Sequence, residues 1–155
     1  MEYPTCYYDA VHSRDAFLHI HEKTKLFGNL AKSLKPGGKL LVTDYCCKPN
    51  APNEDPKFVE YIMKYNYDIL TIEQYKNYLR DSGFENVVGI DNSKIFLDIL
   101  KKELKKLLDP DISTKIRKLI SKNEYNEWCD LWKDKIKRVE CGGHIWGLFT
   151  ANKPF

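Results

Sequence analysis

Residues 39–45 (KLLVTDY) constrain the fold more than any other stretch, being of strand length and apolar enough to be buried on both faces. Burial on both faces belongs to a parallel sheet covered by helices. Immediately upstream, Lys35-Pro36-Gly37-Gly38 closes a segment, 24–34, whose apolar residues Leu26, Phe27, Leu30, Ala31 and Leu34 follow helical spacing. Before that, residues 7–13 (YYDAVHS) read as a short strand ending in a polar turn. Strand, helix and strand with a crossover of this length predict a parallel βαβ unit.

The remaining chain alternates in the same way. Residues 46–56 (CCKPNAPNEDP) hold three prolines and two asparagines and read as a loop. Pro56 opens a helix to about residue 65, with Phe58, Tyr61, Ile62 and Tyr65 on one stripe. Thr71 to Gln74 forms a capping box for a helix stopping at Ser82-Gly83, and residues 86–90 read as a strand. Residues 93–108 predict a helix with a leucine stripe, broken by Pro110; a second capping box, Ser121 to Glu124, opens another. Gly142-Gly143 then turns the chain into a last strand, 144–151.

At 155 residues the chain is long enough for one domain with a real core. A net charge of +3 excludes a strongly charged nucleic-acid scaffold. No apolar run approaches the roughly 20 residues of a membrane span, so stable membrane insertion is not expected. The first residues lack the pattern of a secretory signal. Five cysteines, odd in number and without a C-x-x-C pair, predict a reduced, cytoplasmic chain.

Ligands of open parallel sheets bind beyond the carboxyl ends of the strands. That rule marks Ser13-Arg14-Asp15 and Asp44-Tyr45. Asp15 and His19 stand four apart, so one helical turn would put a carboxylate and an imidazole on one side. A carboxylate can hold an ammonium group, and an imidazole can take a proton near neutral pH. On spacing alone such a pair is more often a helix cap or a solvated group.

The segments SRDAFLHI, LKPGGKLLVTDYC, EYIMKYNYDILTIEQY and WGLFTANK, in this order, resemble the phosphoethanolamine N-methyltransferases of plants, nematodes and malaria parasites. The resemblance implies S-adenosylmethionine as cofactor and a small phosphobase as substrate, with no nucleic-acid partner. It implies the carboxyl half of a Rossmann-like class I methyltransferase fold: parallel strands, a final antiparallel strand, and helices on both faces. A D-x-G-x-G-x-G loop is absent from the sequence, so residues 1–155 are expected to be a partial domain, inactive alone, lacking the glycine-rich cofactor-binding half. Its first strand would then lack a neighbour, exposing an edge for a missing amino-terminal half or for self-association. A non-catalytic binding module derived from such a half-domain is the alternative.

The same resemblance assigns roles. His19 is implied as the base and Asp15 as the group orienting the substrate amine. Ser13 and Arg14 are implied near the cofactor, and Tyr45, Tyr61, Tyr67 and Lys135 at the phosphate. Family members from plants and malaria parasites carry an arginine where this sequence has Tyr65, so one fixed charge is lost. His19-Ile20-His21 lacks a third metal ligand, KKELKK reads as a solvated helix face, Cys46-Cys47 as packing residues, and Trp128, Trp132 and Trp146 as core.

Overall fold

The computed structural model describes residues 3–51 and 56–155. Four strands form one sheet in the order β1-β2-β4-β3. Strand β1 (Tyr8–Arg14) lies parallel to β2 (Leu34–Cys46); β4 (Ile145–Asn152) runs antiparallel between β2 and β3 (Glu85–Asp91). Three strands thus share a direction and the last opposes them, as expected. The crossover from β1 to β2 carries helix α1 (Lys23–Ser33). Helix α2 (Pro56–Tyr65) and helix α3 (Ile72–Asp81) separate β2 from β3. Of the expected loop 46–56, residues 52–55 lie outside the described residues.

β2 begins earlier than expected. Pro36, Gly37 and Gly38 join the strand through an irregularity: Tyr8 faces Leu34 but Ala10 faces Lys39. Gly37 takes a φ of 75°, and its N–H donates to the Lys153 carbonyl at 3.0 Å. A residue with a Cβ adopts that conformation only at a cost.

One sheet face is packed and the other largely open. Leu40, Val42, Phe149 and Ala151 meet Leu26, Phe27 and Leu30 of α1 and Tyr75 and Leu79 of α3, with Tyr75 stacked on Phe149 at 3.9 Å. On the opposite face Leu41 is 41% exposed, Val88 47% and Ile90 47%. The expected burial of residues 39–45 on both faces therefore fails at Leu41, where no described helix covers the strand. Only the rim near Tyr45 and Trp146 is covered, by α4 (Ser93–Leu107) and α6 (Lys122–Cys141) through Phe96, Leu100, Ile136 and Val139.

Pro110 ends α4 but also starts a helix of its own, α5 (Pro110–Ile116). Asp109 caps it by accepting the N–H groups of Asp111 and Ile112. Proline at a first helical position loses nothing, because its N–H would be unpaired there. Trp132 and Trp146 pack against Phe96, Leu100, Ile136 and Val139, whereas Trp128 is 46% exposed, contrary to its reading as core. No described helix is long and apolar enough to cross a membrane.

Candidate active site

The carboxyl ends of β1 and β2 are neighbours, so the two marked positions meet. Asp15, just past β1, has a φ of 48°, and the next turn is a single 3-10 turn, Phe17–His19. Asp15 and His19 therefore do not share the expected α-helical turn. Asp15 turns toward β4, where Trp146 Nε1 donates to its Oδ1 at 2.9 Å. Its Oδ2 lies 3.9 Å from Arg14 Nε, and the Arg14 side chain is largely exposed. Ser13 is buried on the packed face, away from this group.

His19 is exposed, and its ring meets Tyr67 edge-on at 5.0 Å. Its turn is held from below by a residue that sequence reading missed. Lys23, 2% exposed, donates to the carbonyls of Phe17, Ile20 and Asp68 and pairs with the Asp68 carboxylate at 3.1 Å. The Asp68 N–H closes the clasp on the Leu18 carbonyl at 2.8 Å. A buried ammonium persists only when its donors are met. Lys23 thus fixes the turn bearing His19 to the segment bearing Tyr67.

The tyrosines gather beside this turn. Tyr61 lies 5.2 Å from Tyr65 and 5.6 Å from Tyr67, and Tyr65 stacks on Tyr67 at 5.4 Å. Burial pushes the hydroxyls of Tyr45 and Tyr61 well above the usual phenol range, so both remain protonated donors. Lys135 Nζ donates to Tyr45 Oη at 2.8 Å and lies over the Tyr45 and Phe96 rings. Burial pulls the Lys135 ammonium below its ordinary value; the nearby Asp15 charge opposes that, and Arg138 reinforces it. Cys46 and Cys47 are buried, and burial pushes the Cys47 thiol up to about 11, which suits packing rather than reactivity.

Asp15, Tyr45 and Lys135 are thus brought together around Trp146, and His19, Tyr61 and Tyr67 form the adjoining wall. Sequence reading passed over Trp146 as a carboxylate partner, passed over Arg138, and took His144 only as the start of the last strand, which begins at Ile145. The spacing of Arg138, three residues after Lys135 on one helix, was the available signal.

A sheet with three strands parallel and one antiparallel, and with polar groups at the parallel strands' carboxyl ends, matches the class I methyltransferase fold. Residues 1–88 match the family described as "Methyltransferase domain". The chain belongs to that methyltransferase domain family. It is 41% identical over 155 residues to phosphoethanolamine N-methyltransferase 3 of Arabidopsis thaliana, covering 98% of this chain and 30% of the relative. Against the phosphoethanolamine N-methyltransferase of Plasmodium falciparum the identity is 37%, covering 98% of this chain and 57% of the relative. A solved structure of phosphoethanolamine N-methyltransferase 2 from Haemonchus contortus, with phosphomonomethylethanolamine and S-adenosylhomocysteine, superposes with a TM-score of 0.89 at 28% identity. It covers 99% of this chain and 35% of that one. The chain therefore spans about a third of the length of its plant relatives.

Proposed function

We propose that the chain forms the substrate-gripping side of an S-adenosylmethionine-dependent N-methyltransferase acting on phosphoethanolamine and its mono- and dimethyl forms. One observation carries the reading: an indole-held carboxylate, Asp15, and a lysine–tyrosine donor pair, Lys135 with Tyr45, share one aromatic enclosure at the sheet's rim. An anion and a cation in one enclosure suit a small molecule with an ammonium at one end and a phosphate at the other. Relatives of that activity, similar along nearly the whole chain, support it.

In this reading the residues divide the work. Trp146 occupies Asp15 Oδ1 and leaves Oδ2 to accept from the substrate ammonium. His19, on the exposed turn that Lys23 clasps, takes the proton that frees the nitrogen lone pair. Tyr45, Tyr61, Tyr67 and Lys135 donate to phosphate oxygens while their rings exclude water. S-adenosylmethionine supplies the methyl group, and the strand end Ser13-Arg14 offers it backbone groups, since the Ser13 side chain is buried on the packed face. The exposed Arg14 and the open β1 edge fit a cradle completed by a glycine-rich half. The five free thiols suit a reducing compartment such as the cytoplasm.

The test is methyl transfer from S-adenosylmethionine to phosphoethanolamine. It is measured for the 155-residue chain alone and with the amino-terminal half of the Plasmodium falciparum relative supplied separately. Product is expected only from the pair, and His19→Ala should lower its rate by about 100-fold or more. A pair that associates yet forms no methylated phosphobase would overturn the reading in favour of a non-catalytic module.

A further inference from the structure

Two cations leave α6 on the same side. Lys135 and Arg138 are three residues apart on the helix. The first lies over Tyr45, and the second lies with its guanidinium carbon 3.9 Å from the centre of the Tyr61 ring. Lys135 has an acceptor in Tyr45. Among the described residues Arg138 shows no ion pair, and its Nε is sealed from solvent with no acceptor. Beside both, His144 has no exposed surface, with its ring 4.1 Å from Tyr45 and 6.0 Å from Tyr61. Neither of its ring nitrogens has a hydrogen-bond partner. Burial first, then the charges of Lys135 and Arg138, holds the imidazole neutral, leaving it one N–H donor and one lone pair.

Buried polar groups are nearly always paired, so several unpaired nitrogens in one enclosure call for an explanation. Two neighbouring cations raise each other's cost, and a neutral imidazole cannot relieve them. A single tetrahedral anion would accept from the Arg138 Nε–H and the His144 N–H and neutralise both cations at once, offering several acceptor oxygens and up to two negative charges. A cavity of about 480 Å³ lined by Tyr61, Tyr65 and Arg138, where Lys57, Lys64 and Lys137 outnumber Glu60 and Asp134, opens on the Arg138 side of the enclosure. Tyr65 brings no charge to its position on α2, so the fixed charge here comes from α6 instead.

We propose that Arg138 and His144 are phosphate ligands of this site. Arg138 donates through its Nε–H and fork, and His144 through its one N–H, beside Lys135. The inference rests on the phosphobase reading and deepens it by assigning the phosphate end to α6 and the turn after it.

The test is calorimetric titration of the 155-residue chain with phosphoethanolamine, inorganic phosphate and ethanolamine. Arg138→Gln should weaken phosphoethanolamine binding about tenfold or more, Arg138→Lys by less, and His144→Gln by several-fold. Ethanolamine binding should not change. Because substitutions at buried positions can disturb folding, the unmutated chain gives a second readout. Its Arg138 Nε–H nuclear magnetic resonance signal should move on adding phosphoethanolamine or inorganic phosphate, but not ethanolamine. A signal that stays put at saturating phosphoethanolamine, or wild-type binding by Arg138→Gln, overturns the proposal and leaves the phosphobase reading standing. A wild-type chain that binds no phosphobase overturns both.

Discussion

Asp44 sits at the end of β2, one residue before Tyr45 and on the opposite, packed face, with 1% exposure. The Tyr45 N–H donates to its Oδ1 at 3.1 Å, and the Tyr75 hydroxyl lies 3.4 Å from its Oδ2. Burial outweighs these bonds and raises its pKa to about 7. The folded chain therefore holds this proton more tightly than the unfolded chain, whose carboxyl keeps its ordinary value of 3.8. Between those two values stability falls as pH rises; above the upper one the whole cost is present, on the order of 4 kcal/mol. Urea unfolding from pH 4 to pH 8 should show that decline, and Asp44→Asn should flatten it. The exposed carboxylates Asp9, Glu73 and Glu124 are held below their usual range by their hydrogen-bonding partners and slope the opposite way. They are present in both proteins, so the difference between the two curves isolates Asp44. An unchanged slope in Asp44→Asn would show that the carboxyl ionises normally in the fold.

Among the elements, α6 does most to place the proposed phosphate ligands, because Lys135 and Arg138 stand on it and His144 follows its last turn. Its start is fixed by the Ser121–Glu124 capping box, and its end by Gly142 at a φ of 79°. A Cβ there would adopt a strained backbone and would lie 2.1 Å from Lys48 Cε, whose ammonium bonds the Cys141 carbonyl. Gly142→Ala should cost roughly 1–2 kcal/mol, lowering Tm by about 2–8 °C in a thermal scan. Gly83, at a φ of 87° with open space around its Cβ position, is the control that pays backbone strain without the clash. Equal losses at the two glycines would show that Lys48 moves aside freely. Both capping boxes, the leucine stripe of α4 and the final strand were legible, because their signals are local; the antiparallel direction of that strand came only from the family resemblance. Helix α5 was not, since Pro110 signals a stop and a start alike. The turn at Asp15 was hidden too, because no residue type announces a left-handed aspartate. For the candidate site, the residue types were readable but their pairing was not. Trp146 meets Asp15 across 131 positions of sequence, and Lys23 looks like one more solvated charge in HEKTK.

At the scale of the molecule, the sheet has one face more than its helices cover. Among the described residues β1 pairs only with β2, leaving its outer edge bare, and Leu41, Val88 and Ile90 present apolar surface on the open face. In the sheet, Leu41 and Val88 flank Thr150 in one row, with Ile90 in the next, so the patch is contiguous rather than scattered. A two-fold contact would bury each of these residues twice, giving six half-exposed side chains at roughly 1 kcal/mol apiece. Association costs about 4–15 kcal/mol in lost freedom, so the patch supports only a weak, reversible contact. A partner that also adds a strand at β1 gains main-chain hydrogen bonds and would displace it. Sedimentation velocity of the 155-residue chain should therefore show a weight-average mass that climbs with concentration. It should not fall with added salt, because the contact is apolar. Replacing Leu41 and Val88 together by threonine should return the chain to a monomer while keeping strand propensity. A wild-type chain that stays monomeric from micromolar to millimolar concentration would show that the open face is inert. It would also remove the physical reason for expecting this surface to be covered by another polypeptide.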